Sequence, residues 1–253
     1  MPFVGYYGGY GSMYLMGDSY ILYILGLVVL LIISGIAQAT VKSRYRKYSQ
    51  VSNTSGLTGA QIARGILDAN GLGHIDVVPV GGELTDNFNP KTQVVSLSEG
   101  VFNSTSVSAM GIAAHECGHA VQHSKHYVPV VIRSALVPVV NFCSGISWWL
   151  VIIGILINSF ADVDGVGYYI AVVGVILFAS SAVFQLVTLP VELNASGRAM
   201  STINQLYNPG QDERKGVRKV LTAAAMTYVA ALLMTLLNLF RVIMMVRGSS
   251  RRR

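Results

Sequence analysis

Four of the five histidines in this chain lie in one stretch, GIAAHECGHAVQHSKH, which covers residues 111–126. Within it His115, Glu116 and His119 form the pattern HExxH. Residues four apart share a face of a helix, so both imidazoles can hold one metal ion. Glu116 stands beside the first histidine, where it can take a proton from water held by that ion. The pattern predicts one catalytic Zn2+ ion. The alternative is a pair of hydrogen-bonded histidines in a membrane-facing helix.

Two other side chains of this stretch are potential zinc ligands, but their spacing does not suit the same ion. Cys117 lies two residues after His115 and points to another side of the helix, so we expect it to pack in the interior. His123 shares the face of His119, but it lies about 12 Å along the helix from His115. We therefore expect His123 to support the ligands indirectly, to be structural or to lie at an interface.

A catalytic zinc site needs a third protein ligand. Glu192 is the first candidate, because it follows a long apolar run and lies in the first turn of a helix that Pro190 is placed to begin. Ser196 is one turn later on the same face. Arg198 either stabilises an oxyanion or marks the inner flank of the membrane, and the second reading is slightly favoured. The rival acidic residues are Glu83, Asp86 and Glu99.

The composition indicates a membrane protein, since 52% of the residues are hydrophobic and 12% are charged, against about 25% charged in soluble domains. Three apolar runs of about 20 residues are long enough to cross a bilayer as helices. They cover residues 20–40, 136–157 and 168–189. A fourth, residues 220–246, is richer in Ala and Thr, and the sequence leaves open whether it crosses. We predict a multi-pass protein of the cell membrane.

The charges beside these runs predict their orientation. Residues 42–47 carry four basic side chains, which places segment 41–127 in the cytoplasm by the positive-inside rule. The basic segment 190–219 falls on the same side, and the acidic loop between the second and third runs falls outside. The tail, residues 247–253, is inconsistent with the positive-inside rule if the fourth run crosses, because its four arginines then lie outside. The net charge of +6 reflects these flanks, so nucleic acid is not an expected partner.

Outside the apolar runs, two regions have their own predicted character. Residues 1–19 are rich in Gly and Tyr, which predicts an irregular segment at the membrane interface. Segment 41–127 has an α/β pattern. A capping box at Thr58–Gln61 begins a helix that ends at Asn70-Gly71. Ile75–Val80 and Gln93–Leu97 are predicted strands joined by the turn LTDNFNPKT, and a helix starting at Ser104 continues into the HExxH motif.

Four stretches now carry a resemblance: SGLTGAQIARGILDANGL, GELTDNFNPKTQVVSLSEGVFNSTSVSA, AAHECGHAVQH and PVELNASGRA. Together, over about residues 40–235, they resemble the YugP-like family of bacterial neutral zinc metallopeptidases. These are membrane gluzincins, distantly similar to HtpX-type and CAAX prenyl endopeptidases. The resemblance implies an α-helical integral membrane protein with a small α/β zincin-like (gluzincin) catalytic domain on the cytoplasmic side. It also implies zinc ligands at His115, His119 and Glu192, with Glu116 as general base.

The chain departs from the family pattern at two places. The turn that usually reads like DHYDP is Asp86-Asn87-Phe88-Asn89-Pro90 here, which puts a proton-transfer or metal role of this turn in doubt. Related gluzincins have Asp where this chain has Ser196, whose hydroxyl can still hydrogen-bond a ligand histidine. Such enzymes typically bind an extended peptide along a strand edge, and Gly82–Phe88 or Thr92–Leu97 is the candidate edge.

Two function classes follow from these observations. The first is a zinc endopeptidase embedded in the bilayer, acting on a peptide or membrane-protein substrate. The second is a non-enzymatic scaffold or adaptor that keeps a structural zinc ion, which the altered turn and Ser196 motivate. A transporter is a weaker third class, because the apolar runs lack the buried charge pairs that transport uses.

Overall fold

The computed structural model describes residues 10–160 and 165–250, with the side chains of residues 21–160 and 165–248. In these ranges the chain forms, in order, α1 (Tyr10–Ser49), α2 (Gly59–Ala69), β1 (Asp76–Val80), β2 (Asn87–Asn89), β3 (Val94–Ser98), α3 (Glu99–Phe102), α4 (Val107–Ser124), α5 (Val128–Phe160), α6 (Val166–Leu206) and α7 (Gln211–Ser250). Three parts of the predictions lie outside the described residues: the first nine residues, the two aspartates of the predicted outside loop and the last three arginines.

Four of these helices are long enough and apolar enough to cross a membrane. Their candidate spans are Ile21–Ser49, Val128–Phe160, Val166–Leu206 and Gln211–Gly248. At about 1.5 Å per residue, the shortest of them exceeds the roughly 30 Å of a hydrocarbon core, so their polar ends extend beyond it. The uncertain run at residues 220–246 therefore belongs to a helix that has the length and composition of a membrane span.

The helix boundaries differ from the predictions at two places. Helix α1 already begins at Tyr10, so the second half of the predicted irregular N-terminal segment is helical. Pro190 does not begin a new helix but lies inside α6. A proline removes one backbone hydrogen bond from a helix interior. The buried face of Val191, Ala195 and Ala199, each at most 1% exposed, continues the helix past this interruption.

In the described part of the chain, the sheet has three strands in the order β1-β3-β2. The parallel neighbours β1 and β3 pair Asp76 with Val94, and the antiparallel neighbours β2 and β3 pair Phe88 with Val95. The two predicted strands are confirmed, but the turn between them is wrong in part, since its centre is the short strand β2. Strand β3 is central, so Thr92–Leu97 is not the open edge. Strand β2, which overlaps the other candidate, is an edge strand.

The described chain divides into two compact units. The unit that contains the HExxH motif comprises residues 35–136 and 186–229. Its core packs α2, the sheet and α4 around Ile62, Ile66, Leu97, Met110 and Ile203, all at most 1% exposed. The capping box of α2 is present as predicted, with Thr58 and Gln61 each bonding the other's backbone N–H. This unit positions every residue of the site described below.

The other unit comprises residues 1–34, 137–185 and 230–253. In this unit α5 and α6 approach each other closely at glycines. At Gly174, for example, an added Cβ atom would lie only 2.8 Å from the carbonyl oxygen of Ser147. Small residues allow such close packing of helices in membranes. Near the end of α7, Arg241 lies over the rings of Tyr23 and Trp148, with ring-centre distances of 5.3 and 5.9 Å.

Candidate metal centre

Helix α4 presents the HExxH residues from a buried position. Ser106 caps its start by accepting a hydrogen bond from the backbone N–H of Ala109 at 3.2 Å. Small residues surround the motif and allow close approach of α6. At Gly118 a Cβ atom would lie only 2.8 Å from the carbonyl oxygen of Ala195. The glycine inside the motif therefore lets α4 and α6 pack directly against each other.

This contact brings Glu192 of α6 to the two histidines of α4. The Oε2 atom of Glu192 lies 3.3 Å from His115 Nε2 and 3.4 Å from His119 Nε2. Two ligand atoms bound at about 2.05 Å to a tetrahedral zinc ion are about 3.4 Å apart. The donor set and the two distances between Glu192 and the histidines therefore fit a zinc ion. Within the described residues, these three form the metal-ligand cluster, and the rival acids Glu83, Asp86 and Glu99 do not join it.

Glu192 has a further partner that the sequence did not reveal. Its side chain is only 3% exposed, and its second oxygen, Oε1, accepts a hydrogen bond from Arg133 Nη1 at 3.0 Å. Arg133 lies near the start of α5. The charge-assisted bond fixes the carboxylate so that Oε2 faces the histidines. In the sequence, Arg133 borders an apolar run, where a basic side chain is expected merely as a membrane flank.

Gln122 makes one hydrogen bond to His119 and is itself held in place by two others. Its amide nitrogen donates to the Val191 carbonyl at 2.8 Å and to Asn194 Oδ1 at 3.0 Å. Its oxygen therefore accepts from His119 Nδ1, at 3.0 Å. With the proton on Nδ1, the lone pair of Nε2 is free for a metal ion. Gln122 is fully buried, and its type and spacing gave no signal of this function in the sequence.

Ser196 contacts the other histidine. Its hydroxyl oxygen lies 3.2 Å from His115 Nδ1, so each of the two histidines has a hydrogen-bond partner on the nitrogen that faces away from Glu192. Such partners fix the ring orientation and the tautomer of a metal-binding histidine. The one-turn offset from Glu192 on α6 is what places Ser196 there.

Glu116 lines a cavity of about 220 Å³ together with His115, Glu192 and Asp86. Burial raises the pKa of Glu116, and the two histidines offset only part of that effect. Burial also raises the pKa of Asp86, although Asp86 accepts hydrogen bonds from the backbone N–H and the hydroxyl of Ser98. Burial acts to lower the pKa of His119, but the negative charges of Glu116 and Glu192 raise it.

Three other residues singled out in the sequence lie elsewhere. Cys117 is fully buried and its thiol donates to the carbonyl of Ala63 at 3.5 Å, and burial raises its pKa. The ring of His123 packs on Phe88 of β2 at a centre distance of 5.6 Å. Arg198 donates to Asn194 Oδ1 at 2.7 Å and lines a second cavity. The structure does not place Arg198 among the described residues lining the cavity of Glu116.

A His–His–Glu set that fits zinc, beside helices of membrane-spanning length, defines a class of metal-dependent membrane protein. Comparison with known proteins specifies it further. A family model described as "Putative neutral zinc metallopeptidase" matches residues 23–247, so the chain belongs to this family of zinc peptidases. The "Putative membrane protease YugP" of Bacillus subtilis (strain 168) is 47% identical over 208 residues, covering 82% of this chain and 89% of the relative. No solved structure matches the chain.

Proposed function

We propose that this protein is a membrane-embedded zinc endopeptidase of the gluzincin type. The observation that carries the proposal is that Glu192 Oε2 lies 3.3 and 3.4 Å from the Nε2 atoms of His115 and His119, next to a buried glutamate that lines a cavity. A structural zinc site has four protein ligands and no open position. Among the described residues three ligands meet beside a cavity, which favours catalysis over the scaffold alternative.

The chain's own residues supply positioning and proton transfer. A zinc ion bound to the three ligands would lower the pKa of water to about 7 and polarise the scissile carbonyl. Glu116 accepts the proton of the attacking water and returns it to the leaving amine nitrogen. Burial suits Glu116 to both steps, because its raised pKa makes the carboxylate a stronger base. Gln122 and Ser196 keep the Nδ1 protons in place.

The substrate is expected to bind as an extended peptide along β2. This strand pairs on one side with β3 and lies at the edge of the sheet. An edge strand offers backbone N–H and C=O groups to a peptide that adds as a further strand. Asp86, immediately before β2, lines the same cavity as Glu116, so a peptide on this edge would pass the site.

We place the site on the cytoplasmic side of the membrane. The support is the basic cluster at residues 42–47, which follows the most apolar part of α1, because basic flanks are retained inside. The second basic segment, at the start of α7, carries Arg214, Lys215, Arg218 and Lys219. Both clusters belong to the unit that contains the metal centre.

The test replaces the proton acceptor and keeps the ligands. We expect purified full-length Glu116→Gln to bind one zinc ion per chain but to cleave peptides at least about 100-fold more slowly, the lower range for a general base. Glu99→Gln, at an exposed glutamate, is the matched control and should cleave like wild type. Cleavage by Glu116→Gln at the wild-type rate would exclude this mechanism. Zinc binding by the wild type without cleavage of any substrate would favour the scaffold.

A further inference from the structure

The cavity beside the metal ligands has one polar side and one apolar side. The polar side carries His115, Glu116 and Glu192, the residues of the proposed reaction. The apolar side comes mostly from one face of α7, where spacings of one, four and five residues place side chains together. The α7 residues that line the cavity are Val220, Leu221, Ala224 and Ala225 and, one turn further on, Tyr228, whose hydroxyl is the polar group of this face. The apolar side thus shares one cavity with the proposed zinc ligands and Glu116.

The charge of the cavity restricts what can enter it. Of the three carboxylates that line it, Glu192 is paired with Arg133 and is a proposed zinc ligand, which leaves Asp86 and Glu116, and the described lining residues include no lysine or arginine. An acidic side chain would meet like charge in a partly buried setting, which is unfavourable. A polar uncharged side chain would lose hydrogen bonds to water against the apolar side. An apolar side chain instead gains by leaving water.

The size of the cavity admits one substantial side chain. A dry cavity of about 150 Å³ is large enough to bind benzene, and this one measures about 220 Å³. Part of it is needed for the attacking water and the scissile peptide. The small side chains of Ala224 and Ala225 leave the remaining space open on α7. A larger residue at either position would occupy it.

From this composition we propose that the cavity is the specificity pocket of the proposed peptidase. It takes an uncharged apolar side chain of leucine to phenylalanine size from a residue flanking the scissile bond, and it rejects acidic residues. The proposal rests on the proposed function for the reaction, but it concerns a different set of residues, namely the α7 face. Ala224 and Ala225 set the upper limit of side-chain size.

The experiment uses full-length zinc-loaded protein in detergent and one peptide scaffold, whose cleavage position is first determined by mass spectrometry. The residues flanking that position are varied among Ala, Leu, Phe and Glu. Wild type is expected to cleave the Leu or Phe peptide at least about 10-fold better than the Glu peptide, by kcat/KM. For Ala224→Leu, kcat/KM on the Phe peptide is expected to fall at least about 10-fold, while kcat/KM on the Ala peptide stays at the wild-type value. The reason is that one methylene group already changes selectivity about 10–200-fold.

Two controls separate the pocket from folding and from catalysis. Thr222→Leu adds similar bulk at an exposed position of α7 that does not line the cavity, and it should keep the wild-type preference. Ala225→Leu provides a second blocking variant if Ala224→Leu does not fold. Binding of labelled Leu, Phe and Glu peptides to Glu116→Gln, and to Glu116→Gln with Ala224→Leu, is followed by fluorescence anisotropy and reports the pocket without turnover.

The outcomes distinguish this proposal from the proposed function. If wild type cleaves no peptide, the proposed peptidase function is overturned. The peptide-binding measurements then test the proposed side-chain preference of the cavity by themselves. Cleavage or binding with an unchanged preference in both blocking variants overturns the pocket, as does a preference for Glu. A shift towards small side chains in the blocking variants, with Thr222→Leu unchanged, supports it.

Discussion

The side chain of Arg133 determines which oxygen of Glu192 faces the histidines, because it bonds the other oxygen at 3.0 Å. Loss of a hydrogen-bond partner of a metal ligand typically costs 10–100-fold in metal affinity. We therefore expect Arg133→Gln to bind zinc about 10–100-fold more weakly, measured by competition with a chromophoric chelator. Arg133→Lys, which keeps the charge and one donor, should recover part of the loss.

A charge-matched control separates this local effect from a change in net charge. Arg218 is exposed on α7, and Arg218→Gln should leave zinc affinity unchanged. The absorption spectrum of the cobalt-loaded protein provides a second readout. We expect Arg133→Gln to alter it, because the released carboxylate is free to bind the ion with both oxygens. Wild-type affinity together with a wild-type spectrum in Arg133→Gln would contradict the assignment.

For Cys117, its position on the helix matters more than its chemical type in deciding whether it binds zinc. Its thiol lies inside the motif but bonds the carbonyl of Ala63. We expect Cys117→Ala to retain one zinc ion per chain and to lose about 1 kcal/mol of stability, a typical cost for a single substitution. Metal analysis and chemical denaturation would measure the two quantities.

Thiol labelling checks the same assignment independently. Burial raises the pKa of Cys117, so the unreactive thiol form dominates at neutral pH. In a Cys143→Ala background, Cys117 should resist a maleimide at pH 7–8 in the native protein and react after denaturation. Zinc loss in Cys117→Ala or fast labelling of the native protein would argue for a ligand thiol.

At the scale of elements, the contact between α4 and α6 depends on Gly118. A methyl group there would lie 2.8 Å from the Ala195 carbonyl oxygen, and backbone atoms cannot give way as side chains do. We expect Gly118→Ala to push the helices apart, to destabilise the protein by about 1–3 kcal/mol and to weaken zinc binding. Gly197→Ala, where a methyl group meets nothing within 4 Å, is the matched control. It should be neutral or stabilise α6 by about 1 kcal/mol. Equal effects of the two substitutions would contradict the packing argument.

Whether a helix or strand could be predicted from the sequence depends on whether local features or tertiary contacts determine it. Helix α2 was predictable because its capping box and apolar face are local features. The strand Asn87–Asn89 was not, since its three residues acquire strand geometry only by pairing with β3. By itself, Pro190 indicates the start of a helix. The helix continues through Pro190 because the surrounding face of α6 is buried, and this burial is a tertiary effect that the local sequence does not show. The partners Arg133 and Gln122 were missed for a similar reason, as each gains its function from contact with α6.

For the whole molecule, the orientation in the membrane decides which compartment the site faces. The test places single cysteines in a chain with Cys117 and Cys143 replaced by alanine. Lys91 is exposed in the turn between β2 and β3, and Phe160 is 85% exposed at the end of α5. In sealed right-side-out vesicles, a membrane-impermeant maleimide should label Lys91→Cys only after detergent is added. Phe160→Cys should be labelled at once. Equal accessibility of the two would mean that α5 does not cross, and the reverse pattern would place the site outside.

A third position resolves the conflict between α7 and the basic tail. Arg247 is exposed near the end of α7, and we expect Arg247→Cys to be labelled like Phe160→Cys. The apolar span of α7 is long enough to cross, and Arg241 is held by the rings of Tyr23 and Trp148. Tyr23 lies near the start of the first apolar run, where an aromatic side chain favours the membrane interface, and a long arginine side chain reaches towards that interface. These contacts favour crossing over the orientation that the tail arginines indicate. Protection of position 247 until detergent is added would show that α7 returns to the cytoplasmic side.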